Sequence, residues 1–154
     1  MQSHYQLKRT TTAHEDFQHL VRQLDHELWN ELHEDQATYD QYNQVPDIKT
    51  AVLIYDGEQA VACGCFKAID ATTIEIKRMF VEKAFRGKGL SKKVLQALEE
   101  WARELGFSAA ILETSIHFAT ARRLYETSGY GIIPNYPPYV GLEESVCMGK
   151  ELSS

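Results

Sequence analysis

Met79-Phe80-Val81-Glu82-Lys83-Ala84-Phe85-Arg86-Gly87-Lys88-Gly89-Leu90-Ser91-Lys92-Lys93 decides the fold. A strand rich in β-branched residues, Thr72 to Val81, runs into a glycine-containing loop. Leu90, Val94, Leu98, Ala102 and Leu105 then form the apolar stripe of a helix, and Gly106 ends it. A helix start leaves N–H groups unpaired and carries the positive end of the macrodipole, so it attracts anions. Gly87 and Gly89 allow positive φ and close backbone approach. Arg86, Lys88, Lys92 and Lys93 add charge. The loop predicts a phosphate ligand, above all a pyrophosphate. Two common phosphate loops do not fit. The Walker pattern needs Lys after its last Gly, and Leu90 follows Gly89. The dinucleotide fingerprint needs a glycine where Lys92 stands, and an N-terminal βαβ unit is missing.

Working outward, Ser108 to Thr114 reads as the next strand. Strand, helix and strand imply a parallel pair with a right-handed crossover. Upstream, Tyr5 to Thr11 alternates as a strand. Leu20, Leu24, Leu28 and Leu32 mark an amphipathic helix, or two, over Ala13 to His33. Asp56-Gly57 turns a hairpin between Ala51–Tyr55 and Gln59–Ala68. Downstream come a helix from Phe118 to Ser128 stopped by Gly129, and strands at Tyr130–Ile133 and Ser145–Leu152. A loop from Pro134 to Gly141 carries Tyr136, Pro137, Pro138 and Tyr139. The pattern is an α/β sandwich on a mixed sheet. With 154 residues, no linker and no repeat, residues 1–154 read as a single domain.

Composition narrows the function. A net charge of −6 argues against a nucleic-acid binder. No apolar run approaches the roughly 20 residues of a membrane span, and Met1 to Thr12 lacks a signal-peptide core. Three cysteines without paired spacing suit a reducing, cytoplasmic setting. His19, His26 and His33 recur every seven residues, which suits a solvated helix face better than a metal site, so no metal is expected. The charge is segregated. Ala13 to Asp47 holds nine acids against one base, and Lys77 to Lys93 holds seven bases against one acid. An anionic ligand on the basic side explains that asymmetry.

The stretch Arg86-Gly87-Lys88-Gly89-Leu90-Ser91 resembles the [RQ]-x-x-G-x-[GA] signature of the GNAT N-acetyltransferase superfamily, with Ser91 in the final small position. Met79-Phe80-Val81 resembles that family's bulged strand end. Ala121 to Tyr130 resembles its A-x-x-L-Y-x-x-x-G-[FY] segment. The resemblance covers roughly Ala51 to Leu152. It implies a mixed, mainly antiparallel sheet flanked by helices and splayed between the fourth and fifth strands. It implies acetyl-CoA as co-substrate, with the pantetheine arm in that opening. Backbone groups of Met79, Phe80 and Val81 would pair with the arm, and Arg86, Gly87, Lys88, Gly89, Leu90, Ser91 and Lys92 would hold the pyrophosphate. The family often has Asn seven residues before its tyrosine, where Phe118 stands here.

The resemblance implies an N-acetyltransferase in which an amine attacks the thioester directly, without an acyl-enzyme. A backbone N–H near Phe80 or Val81 would polarise the carbonyl. Tyr125 matches the tyrosine that protonates the departing thiolate. Glu75, six residues before Val81, is the candidate base, with Glu113 or ordered water as alternatives. Cys63 and Cys65 have no base partner visible in the sequence. Trp29, Tyr39, Tyr42, Tyr136 and Tyr139 offer aromatic surface for the acceptor, a small-molecule or peptide amine, and the acidic excess suits a cation. A monomer or homodimer is expected. A non-catalytic acyl-CoA-binding module is the alternative. It would keep the glycine loop but have no use for Tyr125.

Overall fold

A computed structural model describes residues 4–32 and 48–152, without the side chains of 29–32. The described elements are β1 (Tyr5–Thr10), α1 (Glu15–Leu32), β2 (Ala51–Asp56), β3 (Gln59–Ala68) and β4 (Thr73–Val81). A 3-10 turn (Lys83–Phe85) follows, then α2 (Leu90–Glu104), β5 (Ala109–Ser115), α3 (Ala119–Thr127), β6 (Gly131–Ile133) and β7 (Ser145–Glu151). The expected order of elements holds. The seven strands run β1-β2-β3-β4-β5-β7-β6 across one sheet. β4 and β5 are parallel, and the β1–β2, β2–β3, β5–β7 and β6–β7 pairs are antiparallel. The β4–β5 ladder registers only Thr73 to Glu75 against Ala109 to Ile111, the first three residues of each strand. That short ladder is the form taken by a sheet splayed between its fourth and fifth strands. Among the described residues no helix is long and apolar enough to cross a membrane.

The chain divides into two compact units, Met1–Phe66 with Lys77–Leu98, and Lys67–Ile76 with Glu99–Ser154. In the first, α1 is one continuous helix. Its stripe buries Phe17 and Leu20 against Ala51, Leu53, Cys63, Cys65 and Phe80, with Val21 and Leu24 at the margin. Burying one such side chain contributes about 1.5–3 kcal/mol, which fixes the helix by its apolar face. The polar face is tied down as well. Tyr55 donates to Asp16 (2.5 Å), Arg78 pairs with Asp25 (2.6 Å) and Arg86 with Glu27 (2.7 Å). The acidic and basic stretches therefore neutralise each other in part. α2 lies directly on β3 at Gly64, where an added Cβ would stand 2.7 Å from both Met79 Sδ and Val94 Cγ1.

The second unit is built on the β5–β7 ladder, which registers Ala109 to Ser115 against Glu151 to Ser145. A buried carboxylate anchors it. Glu99 accepts from the Tyr130 hydroxyl (2.8 Å) and from Lys150 Nζ (2.9 Å), with Arg103 at 3.8 Å. Paired and hydrogen-bonded in this way, a buried charge is tolerated. The loop after β6 is pinned by Asn135, whose side-chain amide donates to the carbonyls of Tyr139, Leu142 and Ser145.

Candidate active site

In the first unit the end of β4 runs into the glycine-containing basic loop that precedes α2. Arg78 has φ +57°, unusual for a residue with a side chain. It breaks the regular extended backbone of β4 just before Met79. Arg86 Nε donates to the Val81 carbonyl (2.8 Å) and its guanidinium lies over the Phe80 ring (5.4 Å). Gly87 and Gly89 have φ of +80° and +78°, and a Cβ at either would meet nothing within 4 Å. The glycines serve a left-handed backbone beside open space. The Lys93 N–H begins the helical bonding by donating to Gly89 O (3.2 Å). The N–H groups before it are those an α-helix leaves unpaired. Lys88 and Lys92 are exposed, and the Leu90 side chain is buried, so Leu90 can serve a ligand only through its backbone. These residues fit a pyrophosphate.

In the second unit the strand period gathers a polar face. Glu75 is registered with Ile111, Glu113 with Cys147 and Ser115 with Ser145, so Glu75, Glu113, Ser145 and Cys147 point to the same side. Glu75 is 4% exposed and accepts a hydrogen bond from the Tyr136 hydroxyl (2.8 Å), with Lys67 Nζ at 3.8 Å. Ser145 donates to Glu113 (2.7 Å). Tyr125, on α3, is buried with its ring edge-on to Tyr130, and Glu113 is the charge that acts on its phenol.

Burial, and then the facing carboxylate, hold three phenols above their ordinary value of 10: Tyr125 beside Glu113, Tyr130 beside Glu99 and Tyr136 beside Glu75. All three are protonated at neutral pH, so Tyr125 is in the state that can give a proton away. Burial likewise pushes the Cys63 and Cys147 thiols up, which leaves them poor nucleophiles. The raised phenols also fix a pH dependence. Above pH 10 the unfolded chain releases these protons and the folded chain keeps them. The folded state then binds more protons, so stability falls as pH rises. Urea midpoints are expected to drop steadily above about pH 10, and a flat profile there would contradict the burial of these hydroxyls.

The predicted residues are thus distributed as follows. Met79, Phe80, Val81 and the loop from Arg86 to Lys92 lie at the end of β4 and the start of α2 in the first unit. Glu75, Tyr125 and Tyr136 lie in the second. Tyr139, expected to offer aromatic surface, is 1% exposed and packs edge-on against Tyr136. Trp29 sits in α1 with its side chain outside the described residues, and Tyr39, Tyr42 and His33 lie outside them altogether. Asp16, Asp25 and Glu27, counted toward a cation-binding surface, have partners within the chain. The Tyr136–Glu75 hydrogen bond and the Arg78–Asp25 pair had no signal in the sequence.

Comparison with known proteins identifies the family and the fold. Residues 14–130 match the model of the Acetyltransferase (GNAT) family. The chain is 37% identical to the IAA acetyltransferase of Azospirillum brasilense over 109 residues, 70% of each protein. It is 34% identical to YsnE, an uncharacterised N-acetyltransferase of Bacillus subtilis, over 64% of this chain and 66% of that one. Among solved structures, a candidate acyl-CoA N-acyltransferase from Klebsiella pneumoniae superposes with a TM-score of 0.80 at 29% identity, covering 97% and 98% of the two chains. The chain belongs to the GNAT family and is an acetyl-CoA-dependent N-acetyltransferase.

Proposed function

We propose that the chain transfers an acetyl group from acetyl-CoA to an amine by direct attack in a ternary complex. The observation that carries this reading is the pair of left-handed glycines, Gly87 and Gly89, beside open space at the start of α2. There the backbone N–H groups and Arg86, Lys88 and Lys92 bind the pyrophosphate of the co-substrate. For Arg86 this means sharing or leaving Glu27. The backbone of Met79 to Val81 pairs with the pantetheine arm, and the N–H of Phe80 or Val81 polarises the thioester carbonyl.

Glu75 takes a proton from the acceptor ammonium, directly or through one water, and the free amine attacks the carbonyl carbon. A C–N bond forms, the C–S bond breaks, and Tyr125 gives the leaving thiolate its proton. Tyr136 and Trp29 contribute to the acceptor side. The family model spans both compact units, which supports reading residues 1–154 as one working domain.

Ligand-induced stabilisation tests the cofactor assignment. Acetyl-CoA and coenzyme A at a hundredfold excess over Kd are expected to stabilise the fold by about 2.7 kcal/mol, with ATP and NAD well below that. An equal shift with ATP would mean that the loop recognises a generic nucleotide phosphate.

A further inference from the structure

β4 turns its side chains in opposite directions around the left-handed Arg78. Met79 points toward α2, because its sulfur occupies the space a Cβ on Gly64 would need, beside Val94 and Leu98. Phe80 joins the α1 core, and Arg78 reaches α1 to meet Asp25. The Arg78 side chain is only 8% exposed, and Asp25 is 43% exposed. Asp25 engages Nη1 alone. Nε is buried and, among the described residues, has no hydrogen-bond partner. The Arg78 carbonyl accepts from the Cys63 thiol (3.4 Å), which helps hold the left-handed backbone.

A guanidinium presents five N–H donors in a planar fork. Its charge here is already balanced by Asp25, so a purely structural pair would have no reason to leave a second donor buried and unused. Leaving such a donor unmade is costly, and backbone strain that persists tends to cluster at functional sites. The missing partner is an acceptor on the Nε side of the fork. A carboxylate offers two coplanar oxygens that match it, and a neutral amide offers one.

We propose that Arg78 is a binding residue for the carboxylate of the acceptor, so that the acceptor is an amine that also carries a carboxylate, the amino-acid class. This rests on the reading that the chain acetylates an amine. Asp25 balances the guanidinium charge until the acceptor arrives, and the side chains that bury Nε must give way for the incoming carboxylate to engage Nε and the adjoining edge of the guanidinium.

Two measurements test it on the full chain. The first is the Nε–H resonance of Arg78, assigned through its own side-chain carbons, during titration with a panel of N-acetyl amino acids and their carboxamides. Saturable movement with the carboxylates and none with the carboxamides is expected. No movement with any carboxylate, or equal movement with the carboxamides, would overturn the site. The second compares parent and Arg78→Lys on free amino acids and amino-acid amides. KM for the amino acids is expected to rise about tenfold to a hundredfold, the worth of a charge-assisted hydrogen bond, with kcat and the amides little changed. An equal loss on both classes would assign Arg78 to structure instead. The two readings fail separately. Movement of the resonance without acetyl transfer would sink the catalytic reading and leave the site. Transfer to amines without movement would sink the site and leave the catalysis.

Discussion

Gly89→Val is expected to weaken acetyl-CoA and coenzyme A binding by about a hundredfold or more, equivalent to losing one or two charge-assisted hydrogen bonds. Gly89 has φ +78°, and the space beside it is empty. Valine acts there twice. Its branched side chain enters the space assigned to the pyrophosphate. It also disfavours the left-handed backbone, at a cost on the order of 1–3 kcal/mol. The two effects separate by comparison with Gly57→Val. Gly57, φ +64°, is left-handed and open in the β2–β3 turn and belongs to no proposed site. That variant should lose similar stability and keep its affinity for coenzyme A. Titration calorimetry on both, with circular dichroism to confirm folding, decides the matter. A folded Gly89→Val protein with the parent's affinity would show that the cofactor lies elsewhere.

Tyr125→Phe should lower kcat by about 10²-fold or more, the low end of general-acid effects, and leave the Kd for acetyl-CoA unchanged. The phenol is buried and held protonated beside Glu113. Phenylalanine keeps the ring and its edge-on contact with Tyr130 and removes only the hydroxyl. Burst kinetics are needed, because slow product release would mask the chemical step. A single-turnover rate equal to the parent's would remove Tyr125 from the mechanism.

Gly89 stood out in the sequence for a local reason, whereas Tyr125 stood out only through the family resemblance. The left-handed demand at Gly87 and Gly89 belongs to a strand–loop–helix joint whose parts are adjacent in the chain. β4 and α2 were readable for the same reason: β-branched residues mark one and a four-residue apolar period the other. What escaped is long-range. Tyr136 meets Glu75 across 61 residues, Arg78 meets Asp25 across 53 and Arg86 meets Glu27 across 59. Such pairs are made by the packing of whole elements, and no periodicity announces them. The acids of α1 therefore looked free for a cationic acceptor, when three of them already have partners. Tyr139 misled in the same way. A Pro-rich loop reads as surface, but Asn135 draws three of its carbonyls together and the tyrosine is buried.

The most direct test of direct transfer from acetyl-CoA to an amine follows thiol release and protein mass together. The enzyme is incubated with acetyl-CoA, first alone and then with a panel of amines that includes the free amino acids. Without an amine, an unmodified protein mass and no thiol release are expected. With an acceptor present, one thiol is expected for each amine acetylated. Acetylated protein together with thiol release in the absence of any amine would contradict direct attack and point to an acyl-enzyme.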